Sequence, residues 1–135
     1  MKYVIRDYPL ESIHPHAFKA SEAVRCAGDQ NKYWDMHDLL FANQRQLSPA
    51  DLSKHAATLK LDAEKFQQCL DTGRHADAVK KDLADGQTAT VRGTPTFFLG
   101  VEEGSKLKVI RVIRGAGVAS GFKTNIEAAL AAASK

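Results

Sequence analysis

A chain of 135 residues, 44% hydrophobic and 26% charged, has the make-up of one ordinary globular domain that can bury roughly two thirds of its unfolded surface. Its formal net charge of +3 is spread along the chain, which argues against a nucleic-acid partner. No apolar run approaches the roughly 18 residues of a membrane span, and Arg6 and Asp7 interrupt any signal-peptide core, so the sequence as it stands is expected to stay in the cytoplasm, with no membrane partner.

Residues 2–6 (Lys-Tyr-Val-Ile-Arg) read as a strand with apolar residues on both faces, ended by Asp7-Tyr8-Pro9. A first helix is predicted over 15–27, with Pro15 in its first position and Gly28 as its stop. A second runs over 30–42 with Asp29 as its N-cap, and Tyr33, Trp34, His37, Leu40 and Phe41 form a stripe expected to be core. Ser48-Pro49-Ala50-Asp51 opens a third, to about residue 59. Asp62 caps a fourth that carries Phe66, Cys69 and Leu70 and closes at Gly73, and a fifth covers about 75–85 with Val79 and Leu83 inward. The pattern then changes. Residues 96–100 and 107–114 form two strands around the turn Glu102-Glu103-Gly104-Ser105, an antiparallel hairpin. A last helix, 119–133, is expected to bury Phe122, Ile126, Ala129 and Leu130.

The most telling stretch precedes that hairpin. In Gly93-Thr94-Pro95-Thr96-Phe97-Phe98 the proline stands directly before a strand, where its missing N–H does no harm to a ladder. Gly93 permits a sharp approach, and Thr94–Pro95 is a candidate cis peptide. The other polar residues read as structural. His14 and His16 mark a helix start rather than a metal site, His37 is a hydrogen-bonded core histidine, and His55 and His75 are solvated. Asp35 and Asp38 lie on the surface, and Lys106, Lys108, Arg111 and Arg114 guard an exposed edge. No metal or cofactor is expected. Cys26 and Cys69 are the only cysteines, no Cys-x-x-Cys occurs, and two cysteines form no zinc site without help from histidine or carboxylate. By composition alone they read as two buried thiols.

Four pieces in order, Arg6-Asp7-Tyr8-Pro9-Leu10, Ala23 to Ala27 with Cys26, Tyr33 to Phe41, and Gly93 to Phe98, resemble the DsbA-like thiol-disulfide oxidoreductases. The resemblance implies an α/β, thioredoxin-like fold of the DsbA type, one domain over 1–135 with a helical insertion at about 14–89. Residues 2–6 match the strand that follows the catalytic helix in that family. The family's first strand and Cys-x-x-Cys helix have no counterpart, so no catalytic residue is expected. Thr94 and Pro95 match the loop that pairs with a substrate peptide. The resemblance also brings Cys26 and Cys69 together, as a structural disulfide or as a thiol pair; a reducing cytosol favours thiols. The expected function is a non-catalytic relative of these oxidoreductases. Two alternatives stand beside it, a peptide- or partner-binding oligomeric module that uses the loop, and a fragment of a longer active enzyme. Strands 2–6 and 96–100 would each lack a ladder partner, and Phe97-Phe98-Leu99 carries no charge, which predicts a homodimer.

Overall fold

The computed structural model describes residues 1–135, which divide into two compact units, Met1–Thr88 and Ala89–Lys135. The first holds helices α1 (Ala17–Gly28), α2 (Tyr33–Ala42), α3 (Pro49–Thr58), α4 (Ala63–Asp71) and α5 (Ala76–Thr88). The second holds strands β1 (Thr96–Glu103) and β2 (Lys106–Arg114) and helix α6 (Ala119–Ala133).

Local chemistry sets several of these boundaries. Ser48 and Asp51 form a reciprocal capping box at the start of α3, with Pro49 in the first turn, where its missing N–H is not needed. Asp62 accepts from the Lys65 amide at 3.0 Å to open α4, and the chain leaves that helix through Gly73, whose φ of +60° suits a residue without a Cβ. Asp29 does not cap α2. It is the C-cap of α1, its carboxylate is engaged by Arg74 and His75, and α2 starts only at Tyr33.

Helix α1 is the hub of the first unit and packs against α2, α3, α4 and α5. Ala23 and Ala27 have no exposed surface, so small side chains let neighbouring helices approach closely, and Phe66, Met36 and Leu52 fill the space between them. Glu22 is also buried. The Lys19 ammonium donates to the Leu70 carbonyl oxygen at 2.9 Å and meets the Glu22 carboxylate, also at 2.9 Å, as an ion pair.

Residues 2–6 form no strand; the sheet contains β1 and β2 alone. A strand exists through its neighbour's ladder, and this segment has none. Side chains hold the adjoining residues instead. Asp82 of α5, 4% exposed, accepts from Arg6 (2.8 Å), from Arg25 (2.7 Å) and from the Asp7 amide (3.0 Å), while Arg25 also donates to Asp7 at 2.7 Å. The Tyr8 ring lies so close to Gly86 that a Cβ there would stand 2.6 Å from it. Burial pushes the Asp7 carboxyl above its usual range; Arg25 pulls it down without cancelling that rise, and the Asp82 charge adds to it. A carboxyl raised on folding contributes stability that is fully present below its unfolded value and is lost as pH rises through the folded one. Asp7→Asn is therefore expected to flatten that component of the stability–pH curve. Urea midpoints measured across the acid range for both proteins check this, and parallel curves would contradict it.

In the second unit the hairpin pairs Thr96 with Arg114 and Glu103 with Lys106, through a turn with Gly104 at φ +63°. The register shifts between Leu99 and Gly100, where a Cβ on Gly100 would overlap the Lys108 carbonyl oxygen; the irregularity requires glycine. The Phe122 ring of α6 meets Phe97 edge-on, with centroids 4.8 Å apart. No residue of α6 is fully buried, and Leu130 is 60% exposed, contrary to its expected core role. A two-stranded sheet offers one narrow face, so it covers one side of the helix and leaves the rest of its circumference open.

Candidate functional site

The loop before β1 is exposed at Thr94 and Pro95, and the Thr94–Pro95 peptide is cis. Two hydrogen bonds fix its shape. Thr96 Oγ1 donates to the Gly93 carbonyl oxygen at 2.7 Å, and the Gly115 amide donates to the Pro95 carbonyl oxygen at 2.8 Å. The second bond ties the loop to the end of β2. It delivers Thr94 and Pro95 at the head of a strand that has β2 on one edge and no strand on the other.

In the helical unit Cys26 of α1 and Cys69 of α4 are joined by a disulfide, with Cα atoms 5.9 Å apart, and both residues are 1% exposed. No free cysteine remains. Beside the disulfide stands a polar group that sequence reasoning missed. The Asp29 carboxylate lies 3.7 Å from Cys69 Sγ, 2.9 Å from His75 Nε2 and 3.0 Å from the Arg74 guanidinium. Burial pushes the Asp29 carboxyl up, but His75 and Arg74 outweigh it by hydrogen bond and charge and hold the group below the usual carboxylate range. His75, expected in solvent, is therefore half-buried and partnered. Nothing local in the sequence announces this, because Asp29 and His75 are 46 positions apart and meet only through the packing of α1 against α4.

Further expectations are corrected. His55 is buried, its Nε2 2.9 Å from the Gln46 carbonyl oxygen, rather than solvated. The stripe of α2 is only half core. Of its members Leu40 is buried and Tyr33 packs partly against the core, while Trp34 (49%) and Phe41 (64%) are exposed; the other buried residue of the helix, Met36, lies outside that stripe. Trp34 and Phe41 stand in a row of ring contacts with Tyr3 and His37, and His37 reaches the exposed Asp38 at 2.9 Å instead of a core acceptor. His14 and His16 are exposed ahead of α1, and Pro15 lies in the preceding turn rather than in the helix. On β2, Lys106, Lys108, Arg111 and Arg114 are exposed; Lys108 faces Glu103 at 3.4 Å, and Arg111 donates to Asn125 of α6 at 2.6 Å.

The chain is similar to segments of proteins named as sodium–proton antiporters. It is 44% identical to the Na(+)/H(+) antiporter NhaA 1 of Salinispora arenicola over 99 residues, which are 73% of this chain and 15% of that protein. It is 35% identical to the Na(+)/H(+) antiporter NhaA of Herminiimonas arsenicoxydans over 108 residues, 80% of this chain and 16% of that protein. The chain thus spans about one sixth of the length of the curated relatives it matches. No solved structure matches it. None of its helices is long and apolar enough to cross a membrane. The family model described as thioredoxin matches residues 1–109, across the helical unit and into the hairpin, and with this mixed α/β, thioredoxin-like architecture the chain belongs to the thioredoxin family.

Proposed function

We propose that this chain is a peptide-binding module of the DsbA-like, disulfide-exchange branch of its family, and that it holds an extended polypeptide without catalysing disulfide exchange on it. The observation that carries this reading is the exposed Thr94–Pro95 loop feeding directly into β1, whose outer edge has no strand partner. Such an edge takes up an extended peptide by main-chain hydrogen bonds. The Cys26–Cys69 pair supports the non-catalytic part, because it is joined across α1 and α4 and leaves no free thiolate to attack a disulfide in a bound peptide. Without peptide, the same open edges pair two copies of the chain, giving a homodimer.

Titrating an unfolded, alkylated polypeptide into isotope-labelled chain tests the reading. Amide shifts are expected over residues 93–99. Thr94→Pro removes one N–H and should weaken binding by about tenfold, while Thr94→Ala, which keeps it, should not. Shifts confined to Met1–Thr88, or equal binding by both variants, would reject the loop as the site.

A second reading follows from the relatives' names: the chain serves as an accessory domain of a sodium–proton antiporter, outside the ion path. It rests on the 44% identity to a segment of such a protein, together with helices too short to span a membrane. Everted vesicles from cells that make only this chain should then show no sodium-dependent proton exchange above the host background. Exchange above that background would refute this division of labour.

A further inference from the structure

We propose that reduction of the Cys26–Cys69 disulfide converts its surroundings into a zinc site, with Cys26, Cys69 and His75 as ligands and Asp29 in the fourth position. The disulfide therefore masks a metal centre. Both sulfurs and a ring nitrogen of His75 lie within 4.8 Å of one another. The Asp29 carboxylate adds an oxygen 2.9 Å from His75 Nε2 and 3.7 Å from Cys69 Sγ. Two thiolates, an imidazole and a carboxylate are the donors that zinc takes in tetrahedral sites.

The spacing asks for little movement. Zinc–sulfur bonds of about 2.3 Å place two thiolates about 3.8 Å apart, so the sulfurs must part from their bonded distance. Their Cα atoms, 5.9 Å apart on α1 and α4, can stay in place while the side chains turn. His75 lies in the turn just ahead of α5, and Asp29 follows α1, so neither is locked inside a helix. The sulfurs are buried, whereas His75 and Asp29 are partly exposed and give the ion a way in. Charge also balances: two thiolates and a carboxylate around a dication leave one negative charge, and the Arg74 guanidinium stands 3.0 Å from Asp29 to meet it.

The chemistry has two steps. A dithiol reductant gives two electrons and two protons to the Cys26–Cys69 bond and closes to its own disulfide, leaving two thiols. Zinc then displaces both thiol protons to solvent as it binds. Oxidation by a disulfide of another molecule reverses the sequence and releases the ion.

Cobalt(II) reads the site directly. The full 1–135 chain, reduced with a non-thiol phosphine and titrated with cobalt, is expected to show the intense visible bands of a tetrahedral ion and thiolate-to-cobalt charge transfer at one equivalent. Zinc should bleach these bands. The oxidised chain should show none, and His75→Ala should weaken cobalt binding by about tenfold or more. Circular dichroism follows the fold in the same samples, with zinc raising the melting temperature of the reduced chain and not of the oxidised one. Absent bands in the reduced chain, or cobalt affinity untouched by both His75→Ala and Asp29→Ala, would overturn the proposal. So would a reduced chain that unfolds and does not regain helix with zinc.

Discussion

Opening the Cys26–Cys69 bond in metal-free solution is expected to cost the helical unit about 4 kcal/mol. The bond closes a loop of 43 residues that contains α2 and α3, and in the chain-entropy account a crosslink of that span removes about this much free energy from the unfolded state's advantage. It joins α1 to α4 inside the main hydrophobic cluster, between Ala23, Ala27, Phe66 and Leu70. The variant that isolates this effect is Cys26→Ala with Cys69→Ala; serine would add two buried hydroxyls and their desolvation to the measurement. Urea unfolding followed by circular dichroism, with a chelator present, should give the loss both for the reduced wild type and for the double variant. A change under about 1 kcal/mol would mean that the unfolded chain stays compact without the bond.

A comparable loss, about 3 kcal/mol, is expected from Arg25→Met, a substitution of similar volume that removes only the charge and its hydrogen bonds. Arg25 stands between two carboxylates, at 2.7 Å from Asp7 and 2.7 Å from Asp82. Without it those two groups face each other beneath the surface, and only Arg6, itself mostly exposed, still pairs with Asp82. The cost is that of stranded charge, so it should be partly reversible. Arg25→Met combined with Asp7→Asn should be more stable than Arg25→Met alone. A double-mutant cycle with no coupling between positions 7 and 25 would show that the loss does not come from the Arg25–Asp7 pair.

Elements whose ends are written locally were legible. The Ser48–Asp51 box, the Asp62 cap, the Gly73 stop and the Gly104 turn each depend on residues a few positions apart, and the helices and hairpin they bound stand near where the pattern puts them. Elements that depend on a distant partner were not. Residues 2–6 carry a strand-like composition, yet a strand is a property of two segments, and here the segment's neighbours are side chains of α1 and α5. Asp82 is the sharpest case. An aspartate on a helix reads as solvated until the chain's start folds back onto it, and the cations that make its burial tolerable are 57 and 76 positions away. Asp29 and His75 follow the same logic across 46 positions. On α2 hydrophobicity alone placed Trp34 and Phe41 in the core beside Leu40 and passed over Met36, which is fully buried, whereas the first unit leaves Trp34 and Phe41 on its outside.

The 3.0 Å contact between the Asp7 amide and Asp82 also bears on how such a unit can travel between proteins. It fastens the segment ahead of α1 to α5, the last helix of the unit, so Met1–Thr88 is closed on itself close to both of its bounds. A block with adjoining ends can be spliced into a host polypeptide, or have its ends joined and be reopened at a surface turn, without stretching either partner. Recombination can therefore move it as a cassette, and for this one the fastening is an ionic latch rather than a strand pairing.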